Sequence, residues 1–199
     1  MPKPERNLKE ACLIEALAII EHDGVERLSL RDVARRLGVS HQAPYRHFTS
    51  RDHILAEVVA RAFEDFALHL DTHEKSSDPD RDLHLMGEAY LAYAERHPLQ
   101  YRLMFATPLP SAEEHPEMMA KARHAFDLLI SALKRKAGGK GQDMSTRAVV
   151  LDALFIWSGL HGLATLRASS AFDTLGLKDK VTAQSGAHLL ARFGDALGG

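Results

Sequence analysis

The sequence predicts an all-α fold of about nine helices. Apolar residues recur at three- and four-residue spacing along most of the 199-residue chain, and no alternating strand pattern or internal repeat interrupts them. Glycines and prolines separate the periodic segments, and the 45% hydrophobic content is enough for a substantial core. The predicted helices span residues 8–22, 30–37, 41–48, 50–73, 80–96, 99–106, 116–136, 145–169 and 178–197.

The first predicted helix, residues 8–22, places Cys12, Leu13, Ala16 and Ile20 on one side and stops at Asp23-Gly24. Cys12 is the only cysteine, which excludes an internal disulfide and a metal site built from several cysteines. Its helical context favours simple packing over a reactive thiol.

The next two helices are joined by a short turn. Ser29 can cap a helix whose apolar positions face inward, Gly38 can end it in a left-handed conformation, and Ser40 can cap the next helix, residues 41–48. Pro44 falls in the first turn of that second helix, where we expect only a slight distortion. Two helices around a glycine-containing turn form a helix-turn-helix, whose second helix lies in the DNA major groove.

The charge distribution favours the same interpretation. Residues 27–51 carry six arginines against one aspartate, a local charge of 6 − 1 = +5, whereas the whole chain is −2 and the remainder is therefore −7. A basic patch on a mildly acidic protein is typical of a surface that neutralises phosphates. The alternative is a solvated, arginine-rich helix face.

A long helix follows from Thr49-Ser50 to about residue 73. It would span ~36 Å at 1.5 Å per residue, enough to leave one domain and enter another. We therefore divide the chain into a DNA-binding domain, residues 1–50, and an effector-binding and dimerisation domain, residues 51–199. The continuous apolar stripe of this helix comprises Ile54, Leu55, Val58, Val59, Ala62, Phe63, Phe66 and Leu70.

Several classes of protein are disfavoured. No apolar run approaches the ~20 residues of a membrane span and residues 1–6 lack a signal-peptide core, so we expect a cytoplasmic protein without a membrane partner. The 12 histidines are scattered and no glycine-rich phosphate loop is found, so we expect neither an enzyme nor a cofactor. A weak metal-site hypothesis involves His69-Asp71-His73 and His84 with Glu88, but solvated helix surface is the favoured interpretation.

The chain resembles the TetR-like transcriptional regulators. The likeness is specific between residues 12 and 58, where Gly24 and the segments 30–34, 37–40, 45–48 and 54–55 follow the family's pattern. Residues 97–105 and 157–162 look like the subgroup whose carboxy-terminal domain is named for its Trp, His and Gly. The resemblance implies an amino-terminal three-helix DNA-binding domain and a helical domain for ligand binding and dimerisation.

The resemblance also implies residue roles: His41, Gln42 and Ala43 face the groove, Tyr45 and His47 touch phosphates, and Arg51 contacts the DNA backbone. Side-chain chemistry agrees in part, because Gln42 can bond adenine, the Ala43 methyl can meet thymine, and Arg46 can reach guanine or phosphate. Phe48 is expected in the core, and Pro44 departs from the aliphatic residue usual in the family. The DNA-binding set is Ser29, Arg31, Ser40, His41, Gln42, Ala43, Tyr45, Arg46, His47 and Arg51.

A homodimer is expected because one short recognition helix covers only a few base pairs, so that a palindromic operator needs two copies. The last two predicted helices carry apolar and small residues suited to a four-helix bundle across a two-fold axis. The alternative is that these faces complete the core of the monomer. The residues concerned are Val149, Leu151, Leu154, Phe155, Leu160, Val181, Ala183, Gly186, Ala187, Leu190 and Phe193.

Large aromatic and methionine side chains in the second domain suit either an apolar cavity or a plain core, and the resemblance favours the cavity. His161 could bond a ligand or tie down a helix. The predicted function is a homodimeric repressor released from its operator by an unknown, largely apolar effector; the alternative is a constitutive DNA-binding protein without an effector. The ligand set is Tyr90, Tyr93, Met104, Phe105, Met118, Phe126, Trp157 and His161.

Overall fold

A computed structural model describes residues 4–139, 146–177 and 179–198, and all regular structure in these ranges is helical. Two 3-10 helices, Val25–Arg27 and Pro44–Arg46, flank the second α-helix. The predicted all-α class is therefore confirmed. The α-helices are α1 (Pro4–Asp23), α2 (Leu30–Arg36), α3 (Arg51–Leu70), α4 (Pro79–Arg96), α5 (Pro98–Phe105), α6 (Pro116–Gly139), α7 (Thr146–Ala168), α8 (Ala171–Thr174) and α9 (Asp179–Leu197).

The nine α-helices of the described ranges agree in number with the prediction, but two members differ. The predicted helix of residues 41–48 is not an α-helix, and the single turn α8 lies in a predicted loop. α3 ends at Leu70 instead of near residue 73, and α6 continues to Gly139. The predicted first residues of the last two helices, 145 and 178, lie outside the described ranges.

The chain forms two compact units. Unit 1 comprises residues 1–64 and 99–122, and unit 2 comprises residues 65–98 and 123–199. α3 and α6 each contribute residues to both. These are structural groupings, whereas the division into residues 1–50 and 51–199 concerns function and stays a prediction.

The core of unit 1 is built from α1, α2 and the first part of α3. Ala16 of α1, Val33 of α2 and Ile54 of α3 are fully or almost fully buried, and the whole predicted stripe of α3 is buried. Cys12 is also fully buried. This complete burial confirms the packing interpretation, and it also raises the pKa of the thiol.

In unit 2, α4, α7 and α9 pack against one another at glycines. A Cβ atom added at Gly159 of α7 would lie 2.5 Å from Cζ of Phe193 of α9, and one added at Gly87 of α4 would collide with Leu190. The missing side chains therefore let these helices approach closely.

A buried polar cluster fixes the start of α4. The Asp82 carboxylate accepts hydrogen bonds from the Ser76 backbone N–H at 3.0 Å and from Arg135 Nη2 at 2.8 Å. Lys136, itself buried, pairs with Asp80. Hydrogen bonding from Ser76, reinforced by Arg135, lowers the pKa of Asp82 even though desolvation opposes the shift. The cluster ties the loop before α4 to the end of α6.

α7 corrects one expectation. Its 23 residues include an 18-residue window of mean hydropathy 1.6, so it is long and apolar enough to cross a membrane by length and composition. The sequence-based statement that no apolar run approaches this length overlooked α7. A single such helix is only a weak indication of a span, because core helices of globular proteins pass the same test.

Candidate nucleic-acid interface

Ser29 caps α2 as predicted. Its Oγ accepts a hydrogen bond from the Asp32 backbone N–H at 3.1 Å, while Leu30, Val33 and Ala34 are buried. The cap satisfies one of the backbone donors that a helix start leaves without a partner. α2 is therefore a short, firmly anchored first helix of the motif.

The turn after α2 also has the predicted geometry. Gly38 has a positive φ of 67°, its N–H donates to the Arg35 carbonyl at 3.2 Å, and the Val39 N–H donates to the Ala34 carbonyl at 3.1 Å. This pair of bonds is a Schellman motif, for which glycine is the favoured residue. The direction in which the chain leaves α2 is thus fixed by backbone bonds.

The second helix of the motif differs from the prediction. Residues 41–43 form turns and Pro44–Arg46 a 3-10 helix with Ala43 at its N-cap and no side-chain cap, so Ser40 does not cap it. Pro44 has no N–H to donate to the Ser40 carbonyl four residues earlier. That carbonyl instead accepts from the Ala43 N–H at 2.9 Å, a three-residue spacing that tightens the turn.

Side-chain exposure separates the predicted DNA-binding residues into two groups. Phe48, expected in the core, is fully buried, and Pro44 is buried with it, so this segment has a fixed inner face. Ser29, Ala43, His47 and Arg51 are partly buried. The exposed members of the set are Arg31, Ser40, His41, Gln42, Tyr45 and Arg46.

Intramolecular ion pairs occupy half of the arginines in this region. Arg35 Nε donates to Asp32 at 2.9 Å, and Arg36 pairs with Asp23 and Asp32 and lies 3.5 Å from Glu15. The hydrogen bond from Arg35 lowers the pKa of Asp32 against opposing desolvation.

Arg51 is also engaged, because it donates to the Val25 carbonyl at 2.7 Å and pairs with Asp52 at 3.0 Å. Within the described ranges, Arg27, Arg31 and Arg46 have no carboxylate partner. The available positive charge is therefore smaller than the sequence count.

The start of α3 contains a cap that the sequence analysis missed. The His53 N–H donates to Ser50 Oγ at 3.0 Å, and the Thr49 N–H donates to His53 Nδ1 at 3.2 Å. The His53 ring also packs edge-on against Phe48, with centroids 5.8 Å apart. The Ser50-x-x-His53 spacing is that of a capping box with histidine in place of glutamate. This spacing is the sequence feature from which the cap could have been predicted.

The predicted ligand residues fall into both units. Met104, Phe105 and Met118 belong to unit 1, and the other five belong to unit 2. In unit 2, Trp157 Nε1 donates to Tyr90 Oη at 3.2 Å, and that oxygen lies 3.5 Å from His161 Nδ1. Phe126 contacts Trp157 edge-on at 5.8 Å. Tyr93 is fully buried and donates to Asp65 at 3.0 Å.

The weak metal hypothesis gains no support. In the part of the chain that the structure describes, no three His, Cys, Asp or Glu side chains converge on a common point. His84 instead lies 3.5 Å from Glu88 on the exposed face of α4.

Comparison with known proteins assigns the chain to a family. Residues 13–58 match the family of bacterial regulatory proteins, tetR family, and residues 83–193, more than half of the chain, match the tetracyclin repressor-like, C-terminal domain family. An uncharacterized HTH-type transcriptional regulator of Mycobacterium tuberculosis, Rv0681, is 25% identical over 87% of this chain and 76% of its own length.

Two solved structures are similar over most of the chain. A protein of unknown function from Rhodococcus sp. RHA1 is 26% identical, with a TM-score of 0.75 over 96% of this chain and 97% of its own. The TetR family transcriptional regulator PfmR from Thermus thermophilus is 25% identical, with a TM-score of 0.61 over 77% of this chain and 84% of its own. Together with the two family matches, they show that this chain belongs to the TetR family of DNA-binding transcription regulators.

Proposed function

We propose that the protein is a cytoplasmic, non-enzymatic homodimeric repressor that binds a palindromic operator and is released by a small, largely apolar effector. The observation that carries this proposal is the set of exposed side chains in the segment 40–46, held on a buried scaffold by the Gly38 turn, Pro44 and Phe48. These side chains are Ser40, His41, Gln42, Tyr45 and Arg46. An exposed polar segment with a rigid inner face is what base reading in a groove requires.

The segment divides into base-reading and phosphate-binding residues. Gln42 reads adenine, the Ala43 methyl meets thymine and Arg46 reaches guanine, since these side chains match base edges in the major groove. Arg31, Tyr45 and His47 bind phosphates, and so do the hydroxyls of Ser29 and Ser40, which retain a proton to donate. His41 lies beside Gln42 at the groove. Arg51 binds the DNA backbone through the guanidinium N–H groups that it does not donate to Val25 or Asp52.

Dimerisation is supported by an apolar face on α7 and α9. Leu151 is 56% exposed, Leu154 43% and Phe155 49% on α7, and Val181 is 53% exposed on α9. Spacings of three and four residues put the α7 members on one face. The occupant of this face is a second copy of the chain, since two α7–α9 pairs form a four-helix bundle across a two-fold axis.

The effector site is supported by the cluster of Tyr90, Phe126, Trp157 and His161. Burial lowers the pKa of His161, so its imidazole is neutral near pH 7 and offers a hydrogen bond without a charge. Aromatic faces with few polar tips suit an uncharged or largely apolar molecule. α3 contributes to both units and is the element through which effector binding changes the separation of the two DNA-binding domains.

One observation favours the alternative of a constitutive DNA-binding protein. Tyr90, Tyr93, Met104 and Met118 are no more than 5% exposed, as in an ordinary packed core. The two functions are separated by titrating operator complexes at fixed salt with candidate effectors. An effector must lower operator affinity, and DNA must weaken effector binding by the same factor; a ligand that binds without changing operator affinity supports the constitutive alternative.

The DNA-reading role is tested with Gln42→Ala. Loss of one bidentate base contact should cost about 1–3 kcal/mol on the cognate operator and nothing on random DNA. Arg81→Ala, an exposed arginine of α4, is the control and should change neither. Equal losses on cognate and random DNA for Gln42→Ala would rule out its reading role.

A further inference from the structure

One imidazole lies at the joint between the DNA-reading segment, residues 40–46, and α3. Thr49 and Ser50 form this joint, since they connect the buried Phe48 with the first residue of α3. The side chain of His53 turns back from the first turn of α3, and its Nδ1 lies 3.2 Å from both the backbone nitrogen and the hydroxyl oxygen of Thr49. A titratable ring thus holds the chain where it enters α3.

The hydrogen bond from Thr49 determines which form of the ring can hold the joint. A backbone N–H can only donate, so Nδ1 must carry a lone pair, and the neutral ring has its proton on Nε2. An imidazolium carries a proton on both nitrogens and cannot accept a hydrogen bond. Protonation of His53 therefore leaves the Thr49 N–H without this acceptor and places two N–H groups face to face.

The ring is also packed on two sides. Phe48 contacts it edge-on, with centroids 5.8 Å apart, and the His115 ring lies 6.2 Å away at an interplanar angle of 32°. His53 and His115 both line a cavity of about 540 Å³ between α3 and the segment that leads into α6. All of these residues belong to unit 1. The packing restricts the ring, so that Nδ1 stays aimed at Thr49.

Other titratable groups of this lining face the same cavity, and together they set the pH at which the ring gains a proton. On α3 itself, Glu57 follows one helical turn later and is paired with a lysine of α1. From the facing segment, a protonated His115 opposes a positive charge on the ring, whereas Glu114 and Glu117 favour it. All of them are unchanged in variants of His53, which are therefore compared at equal pH. The remaining charged groups of the lining, farther along α3 and on α6, are Arg61, Glu64 and Lys121.

We propose that neutral His53 is a positioning residue for DNA binding and that its protonation weakens binding to the operator. While Nδ1 accepts the Thr49 N–H, the joint is fixed, and residues 40–46 and Arg51 meet the DNA in one arrangement. When the acceptor is lost, binding must also order the joint, and the affinity falls. The inference rests on the proposed DNA-reading role of residues 40–46.

Two variants of similar size separate the acceptor from the packing. In His53→Asn, the amide Oδ1 is as many bonds from Cα as Nδ1 and accepts a hydrogen bond without titrating. His53→Leu has nearly the same shape and no acceptor. Fluorescence anisotropy at fixed salt measures affinity for the genomic duplex that the wild type retains most tightly and for a random duplex of equal length. The measurements are made at pH 8 and pH 5, between which imidazoles change charge.

At pH 8, His53→Leu should bind the retained duplex about threefold or more weakly than the wild type, and His53→Asn should stay within about twofold of it. At pH 5, the wild type should lose about threefold or more relative to His53→Asn and approach His53→Leu. His41 and His47 also gain charge at pH 5. They are present in all three proteins and cancel from these ratios.

His124→Gln is the matched control, because His124 is an exposed histidine of α6 outside the cavity lining. Its affinity relative to the wild type should be the same at both pH values. A ratio of wild type to His53→Asn that does not change with pH, or undiminished binding by His53→Leu at pH 8, would overturn the inference. Equal affinity of the wild type for the retained and the random duplex would instead contradict the proposed function.

The imidazole ¹⁵N signals of the unmodified chain give a test that needs no variant. They should show Nδ1 of His53 as the unprotonated ring nitrogen at pH 8. A protonated Nδ1 at that pH would overturn the inference even if neither variant folds.

Discussion

The ion pairs of Arg36 show which partners of a charged side chain can be predicted from the sequence and which cannot. Its pairing with Asp32 follows from their four-residue spacing on α2 and was predictable. Its contacts with Glu15 and Asp23 depend on how α1 packs against α2, and spacing along the chain carries no such information. The local charge of +5 therefore overstates what is available to DNA, and Arg31 and Arg46 gain importance.

Arg31→Ala should weaken binding to all DNA sequences alike. In the proposed complex its exposed guanidinium neutralises a phosphate, so its removal should reduce the slope of log affinity against log salt by about 1. Filter binding at several salt concentrations measures the slope. Arg36→Ala is the matched comparison, because that arginine already pairs with carboxylates and should lower stability without changing the slope. An unchanged slope for Arg31→Ala would remove Arg31 from the interface.

Asp82→Asn should make the protein less stable at neutral pH and alter its acid sensitivity. The pKa of Asp82 is lowered in the folded state, so its contribution is present above the unfolded value of about 3.9 and is lost as the pH falls through the folded value. Denaturant unfolding between pH 7 and pH 3 measures the difference. The difference in unfolding free energy between wild type and variant should shrink as the pH falls below about 3.9.

Asp173→Asn, an exposed carboxylate on α8, is the control for this measurement and should leave stability unchanged. A constant difference between wild type and Asp82→Asn down to pH 3 would contradict the assignment of the charged form to Asp82.

At the level of elements, features set by a few neighbouring residues were predicted correctly. A segment in which two sequence signals oppose each other was not. Ser29 and Gly38 each act within a few residues, and both the cap and the Schellman turn were predicted. Pro44 opposed the helix-favouring pattern around it, and the loss of one backbone donor converted an expected α-helix into a 3-10 turn. The cavity between α3 and the segment that leads into α6 was not predicted, because these two walls are distant in sequence and meet only after folding.

Gly38→Ala should destabilise the protein through the backbone alone. A Cβ at this position meets no atom within 4 Å, so the cost is that of a left-handed non-glycine residue, about 1–2 kcal/mol. Chemical denaturation measures it, with Gly38→Asn expected to cost less because asparagine tolerates this conformation better. Equal stability of Gly38→Ala and wild type would show that the turn does not need a positive φ.

At the level of the whole molecule, unit 2 leaves apolar side chains of α7 and α9 in contact with solvent. Only 33% of the 18-residue apolar window of α7 is buried, so most of its residues retain contact with solvent. In this account the exposed face is covered by a second copy of the chain, which also places two DNA-reading segments in one assembly.

The Leu151→Glu/Leu154→Glu double variant should therefore be monomeric. Two carboxylates in an apolar interface cannot be desolvated without a large cost. Sedimentation velocity measures the assembly state. Leu68→Glu is the matched control, because Leu68 is 66% exposed on α3 outside this face, and it should remain dimeric. A dimeric double variant would place the interface elsewhere.

Selection of genomic fragments by the purified chain, followed by footprinting of those it retains, tests the central claim most directly. The account predicts a protected site with two inverted half-sites whose centres are about 10–10.5 base pairs apart or a multiple of that spacing. Retention of all fragments alike at low ionic strength, or of none, would contradict it.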